Sequence, residues 1–265
     1  MKEAFLSEYL QAAFILAPMA MALREQETPI KIVYLGHRDG TTMMVHKDSD
    51  IHRIKDLRGK KIAVPNRFSN QRLIIFRALK QRGMGIEDVT LLEMPPPDMP
   101  AALQVRAVDA VISGEPYPAQ TEMDGYGRSL FMTKDVWPEF ISCVLAVHEK
   151  VIRDNRAQVQ RLVEGIAKSG KWLDQRIDHR MQAAEFVGKV YYHQHPALLR
   201  FVLSKPPDRV KYTNLRVLRK DFEEIETLAV ESGILKGTAH FDDYADPSFG
   251  AEEDPVQPYN WEYTP

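Results

Sequence analysis

Short dense apolar runs alternate along the first half of the chain with stretches whose apolar positions recur every three or four residues. Runs at 12–16, 30–35, 41–45, 62–64, 89–92, 108–112 and 140–147 have strand length, and 30–35 is rich in β-branched residues. Leu73, Phe76 and Leu79, with Ile75 beside them, have helical spacing. Shorter helices are predicted at 3–11, 19–24, 101–108 and 119–124, with a helical turn at 54–57. Gly36 to Gly40 reads as a turn between two glycines. Strands alternating with helices predict an α/β fold built on a parallel sheet. Beyond 147 the period is helical. Val159, Leu162, Val163, Ile166, Ala167 and Leu173 mark one face of a long helix, and further helices are predicted at 181–192, 195–203 and around Phe222, Ile225, Leu228 and Ala229.

Composition is that of a globular chain with a sizeable core: 265 residues, 44% hydrophobic and 27% charged. A net charge of −2 gives no nucleic-acid footprint. The last stretch, 242–265, holds seven acids and no Lys or Arg, and reads either as an acidic arm that Tyr259, Trp261 and Tyr263 could pin to the surface or as a partly disordered segment. Cys143 is the single cysteine, which excludes an intrachain disulfide and a thiolate metal cluster. No apolar run reaches membrane-spanning length. Lys2 is followed at once by Glu3, unlike an export signal of the usual form.

The most informative stretch is 61–76. An apolar run at Ile62–Ala63–Val64 is broken by Pro65 and Asn66, and Ser69 or Asn70 can cap the helix that follows, with Gly83 beyond its end. The first turn of such a helix carries unpaired N–H groups and a partial positive charge, so it suits an anion or a strong acceptor. Arg67 adds a full charge beside it. On these residues alone an ordinary capped strand–helix junction explains the pattern as well.

Several segments together carry a resemblance. Gln11-Ala12-Ala13-Phe14-Ile15-Leu16-Ala17-Pro18, the strand at 31–35 and Asp56-Leu57-Arg58-Gly59-Lys60-Lys61-Ile62-Ala63-Val64 are similar to the solute-binding proteins of ABC importers in the nitrate/sulfonate/bicarbonate/taurine group, relatives of the thiamine-pyrimidine synthases. Residues 98–111, with Asp109-Ala110, and Gly114-Glu115-Pro116 extend the series. The resemblance implies a periplasmic-binding-protein-like type II fold: two α/β lobes joined by two crossing strands, with the ligand between them and closure coupled to binding. Residues 1–45 and 141–241 would form lobe one with its C-terminal helices, 46–140 lobe two, and 242–265 the tail. Family members begin with a further strand, helix and strand behind an export signal. Met1 falls where the family's second helix lies, so lobe one is expected to be truncated at its N-terminus.

Carried onto this chain, the resemblance places the ligand loops at Pro18, His37, Thr41, Arg67, Ser69, Asn70, Gln71, Glu115 and Tyr117. Arg67 to Gln71 would supply donors, Thr41 a hydroxyl and Tyr117 an aromatic wall. Glu115 would favour a ligand that itself carries a donor or a positive group. No catalytic residue, metal or cofactor is expected. The implied partners are a small anionic or zwitterionic ligand and a membrane permease, with no nucleic acid; a monomer is expected unless truncation drives association. The implied location is the periplasm or cell envelope.

Other polar groups read more simply. His37 with Arg38 and Asp39 is a turn with an ion pair before it is a catalytic group. His193 and His195, two apart on a helix, point to different sides and do not share a metal. Asp48-Ser49-Asp50 lacks the rest of a calcium loop, and Cys143 is strand filler. Two rival functions stay open: an enzyme on the same fold, of the kind seen in sulfinate hydrolases with a Cys nucleophile or in pyrimidine synthases, and a ligand-sensing regulatory protein.

Overall fold

The computed structural model describes residues 2–192 and 194–251. In chain order its elements are α1 (Lys2–Leu6), β1 (Ala12–Leu16), α2 (Ala17–Glu25), β2 (Ile30–Asp39), β3 (Thr41–His46), β4 (Lys61–Val64), α3 (Asn70–Lys80), β5 (Thr90–Glu93), α4 (Met99–Gln104), β6 (Ala110–Gly114), α5 (Tyr117–Met123), β7 (Gly127–Met132), α6 (Thr133–Val136), β8 (Ile141–His148), α7 (Glu149–Asp154), α8 (Arg156–Gln175), α9 (Ile177–Val187), α10 (Pro196–Ser204), β9 (Val210–Lys211), α11 (Arg219–Glu231) and α12 (Phe241–Tyr244). Short 3-10 turns lie at Ile54–Leu57, Ile86–Asp88 and Pro96–Asp98, and a π turn at Gly188–Tyr192.

The chain divides into two compact units. Unit one takes the residues up to Arg38, Ile141–His179 and the chain from Lys211 onward; unit two takes Asp39–Phe140 and Arg180–Val210. This differs from the expected lobes of 1–45 with 141–241 and 46–140 in two places. Residues 39–45 go to unit two because β3 is hydrogen-bonded between β6 and β7. Arg180–Val210 joins it through the buried Arg209, while the buried Arg180 holds the segment itself together. The Arg180 guanidinium donates to the carbonyls of Leu203, Pro207 and Val210. Arg209 pairs with Glu115 and Glu122.

Unit two holds a five-stranded sheet of order β5-β4-β6-β3-β7. Its first three strands are parallel, as the alternating pattern predicts, but β3 runs antiparallel to both its neighbours. The purely parallel expectation therefore holds only for half of it. Strand β7 was not foreseen: it is half-buried, and its short apolar stretch at 130–132 follows the polar Arg128 and Ser129. Met44, Ala63, Val111, Met99, Leu103 and Val108 form the core between β3, β4, β6 and α4. Each of the Met, Val and Leu side chains among them, buried, contributes about 1.5–3 kcal/mol, and Ala63 less. Ser69 caps α3 by accepting from the Arg72 amide at 3.3 Å, and Leu73, Ile74, Ile75 and Leu79 are buried beneath it. Gly83 has φ +70°, the left-handed conformation expected past a helix end.

Unit one holds a four-stranded sheet of order β1-β8-β2-β9, in which β8 runs antiparallel to both β1 and β2. The expected turn at Gly36–Gly40 is instead the end of β2. His37 and Arg38 pair with Cys143 and Ile141, and the chain turns only at Asp39 and Gly40, both at positive φ. Arg38 is held there by Asp221 at 2.6 Å and by the Asn214 carbonyl at 2.7 Å. The predicted single helix 181–192 ends early, at Val187, and gives way to the π turn. Residues 252–265, with Tyr259, Trp261 and Tyr263, lie outside the described residues, as does His193.

Candidate functional site

Unit two gathers most of the candidates at one edge of its sheet. Parallel strands β4 and β6 deliver their C-terminal ends to the same side, and α3 and α5 start there. Strand β3, antiparallel to β6, begins there: Thr41 lies opposite Gly114. The carboxyl ends of strands in an open α/β sheet are where such folds form their ligand crevices.

Thr41, Ser69, Asn70 and Gln71 are all buried at this edge. Burial of consecutive polar side chains is unusual in a helix's first turn and costs free energy unless each finds a partner. Ser69 is used by its own helix as the cap. The Gln71 amide donates from Nε2 to the Thr41 hydroxyl at 3.1 Å, and the Thr41 carbonyl accepts from the Thr133 hydroxyl at 2.8 Å. The Gln71 Oε1 is buried without a hydrogen-bond partner among the described residues. A hydroxyl can donate or accept, so the Thr41–Gln71 bond can be made with either end of the amide. The other end is then an acceptor or a pair of donors for whatever sits at this edge. Leaving it unmatched costs about 1–3 kcal/mol. The α3 amides and dipole add positive potential.

Arg67, on the same loop, is exposed and lies 4.7 Å over the Phe68 ring. Tyr117 opens α5 and is half-buried. Glu115 is close by in the chain but committed elsewhere. Its carboxylate accepts from Arg209 at 2.9 Å, from the Thr42 hydroxyl at 2.9 Å and from the Ala119 amide at 3.0 Å. Burial pushes this carboxyl above the ordinary range, and Arg209, the amide and the hydroxyl pull against that. Pro18 and His37 belong to unit one. Pro18 is buried in the first turn of α2; His37 lies in β2 with its ring 6.2 Å from that of Tyr212. His195 caps α10, accepting from the Ala197 amide at 3.2 Å. The Cys143 thiol, opposite His37 in the register, is pushed up by burial.

Thr42, Thr133 and Arg209 are the polar residues here that the sequence did not disclose. Thr133 follows the unforeseen β7. Arg209 meets Glu115 from 94 positions away, beyond the reach of any local pattern.

The profile of the NMT1-like family matches residues 1–188. The chain belongs to the NMT1-like family. The nitrate/nitrite binding protein NrtA of Nostoc sp. is 30% identical to this NMT1-like chain over 88 residues, 33% of the chain and 20% of that protein. The chain spans between a fifth and about half of the length of the curated relatives it matches. Among solved structures, the ligand binding component of an ABC-type import system from Staphylococcus aureus superposes with a TM-score of 0.81 at 24% identity, over 93% of this chain and 81% of that one. The periplasmic aliphatic sulphonate binding protein SsuA from Escherichia coli gives 0.77 at 18% identity, over 97% and 83%. At these identities the structures show a shared fold, the periplasmic-binding-protein-like α/β fold expected from the sequence.

Proposed function

We propose that the chain is the solute-binding component of an ABC importer and takes a small anionic or zwitterionic ligand at the buried polar edge of unit two. The observation that carries this reading is the Thr41–Gln71 pair at the first turn of α3, with one end of a buried amide left for a ligand. Asn70 and the α3 amides complete the polar lining, and Arg67 brings a full charge to the rim. The NMT1-like family membership and relatives described as nitrate/nitrite and aliphatic sulphonate binding proteins support the same class. Closure of a second lobe on the ligand, delivery to a membrane permease and a place in the periplasm or cell envelope are parts of the same proposal.

The test is a calorimetric titration and thermal-shift series against nitrate, bicarbonate, ethanesulfonate and taurine. A ligand at 100 times its Kd stabilises the folded state by about 2.7 kcal/mol. One class is expected to bind, and an Asn70→Ala/Gln71→Leu double variant to lose at least tenfold in affinity. Unchanged affinity in that variant overturns the placement of the site. An enzymatic reading would need Cys143 as nucleophile. Burial raises its pKa, which withdraws the reactive thiolate.

A further inference from the structure

Thr41 stands at the loose end of β3. The two residues before it, Asp39 and Gly40, both lie at positive φ, 59° and 79°. Main-chain groups of successive strand residues turn to alternate sides of the strand. The Gly40 carbonyl accepts from the Glu115 amide at 2.9 Å, just past β6, and the Gly40 amide donates to the Arg209 carbonyl at 2.8 Å. The Thr41 carbonyl therefore faces β7. There the strand has run out: β7 ends at Met132, opposite Thr42, and Thr133 turns away into α6. Thr133 continues the ladder with its side chain instead, donating its hydroxyl to the Thr41 carbonyl at 2.8 Å.

This bond reaches the site through two side chains of opposite character. Thr41 is β-branched and stiff, so its hydroxyl follows its own backbone closely. Several torsions separate the Gln71 amide from α3, and such a side chain loses rotamer freedom when it is held. Its far end is held by the bond to the Thr41 hydroxyl at 3.1 Å. Either end of the amide can make that bond, and whichever does fixes the direction of the other. Thr41, Gln71 and Thr133 are all buried, so no solvent replaces a bond lost among them. Control runs from the Thr133 hydroxyl to the Thr41 backbone, to the Thr41 hydroxyl and on to the amide.

We propose that Thr133 is a positioning residue of the ligand site. Its hydroxyl fixes the Thr41 backbone, and through it the direction in which the buried Gln71 amide presents its free end. An amide ordered in advance gives a ligand more than a mobile one, because the ordering cost is already met. The inference rests on the binding role proposed above for this edge, and adds to it a residue 92 positions from Thr41 in the chain.

Proton–nitrogen NMR of the full chain tests this without a ligand. The Gln71 side-chain NH2 pair is the one lost in Gln71→Leu. Thr133→Val keeps the shape but not the donor; it should move that pair toward the position shared by exposed glutamines and speed its solvent exchange at least tenfold. Thr133→Ser restores the donor and should keep both near their original values. Thr41→Ser retains every hydrogen-bonding group but loses the stiff branch, and should also move or broaden the pair; it decides the matter if Thr133→Val does not melt cooperatively. Nitrate, bicarbonate, ethanesulfonate and taurine are then titrated calorimetrically. The probe that binds the unaltered chain should bind Thr133→Val at least tenfold more weakly and Thr133→Ser with unchanged affinity. A merely structural Thr133 would lower the melting temperature in Thr133→Val and leave the Gln71 pair and the affinity unmoved. That result, a pair unmoved in Thr41→Ser, or failure of Thr133→Ser to restore it would each overturn the proposal. A Gln71 pair that responds as stated while no probe binds leaves the positioning intact and overturns instead the binding role of this edge.

Discussion

Replacing Arg209 by methionine isolates the interaction that ties the Arg180–Val210 segment to the rest of unit two. The Arg209 and Glu115 side chains are 1% and 5% exposed, and their charges meet at 2.9 Å. Methionine keeps apolar contact with Phe201, over whose ring the guanidinium now lies, but strands the Glu115 carboxylate in a desolvated position. Removing one partner of a buried pair costs about 3–5 kcal/mol, whereas removing both is often nearly neutral. At about 2–4 °C per kcal/mol for a chain of this size, the melting temperature should fall by about 6–20 °C. Adding Glu115→Gln, which keeps a polar group for the Ala119 amide and the Thr42 hydroxyl, should recover most of it. The pH dependence has a definite sign. Burial already raises the Glu115 carboxyl, and Arg209 opposes that; without Arg209 the folded-state value climbs further. Between the ordinary value of about 4.3 and the raised one, the folded state holds a proton that the unfolded chain has released. The variant's deficit should therefore shrink as pH falls from neutral into that window. Thermal melts followed by circular dichroism from pH 7 downward test this. A loss below about 1 kcal/mol at pH 7, a deficit that grows as pH falls, or a double variant no better than the single one would refute the argument.

Two glycines five residues apart on α8 should respond with opposite signs. Gly165→Ala should stabilise by about 0.8–1 kcal/mol through helix propensity alone, and Gly170→Ala should destabilise by about 1–3 kcal/mol because its Cβ overlaps the Tyr212 carbonyl; urea denaturation measures both. His240, exposed and 3.1 Å from Glu226, is raised above its ordinary value by that carboxylate. The stability it contributes is present below about pH 6.5 and lost as pH rises through the raised value, so His240→Gln should flatten the melting temperature between about pH 6 and 8. Cys143, its thiol pushed up by burial, should react with iodoacetamide at least about tenfold more slowly in the folded chain than in urea.

Local chemistry was enough for the elements around the unit-two edge. The run 62–64, the break at Pro65–Asn66, the Ser69 cap and the glycine past the helix reappear as β4, α3 and their termini, because caps and short apolar runs act within a few residues. The family resemblance was legible from phrases such as Asp56-Leu57-Arg58-Gly59-Lys60 and Gly114-Glu115-Pro116. Other features depended on pairing at a distance. Strand β7 has a half-polar pattern and becomes a strand because β3 offers it a free edge. The Gly36–Gly40 turn becomes strand because β8 and Asp221 hold His37 and Arg38 extended. Glu115, whose sequence context suggested a ligand contact, meets a guanidinium from residue 209, and the same pair carries Arg180–Val210 into unit two. Spacing along a helix also shows only which residues share a face. Whether Leu162 on that face is buried or left exposed depends on what packs against it, and that is a property of the folded chain alone.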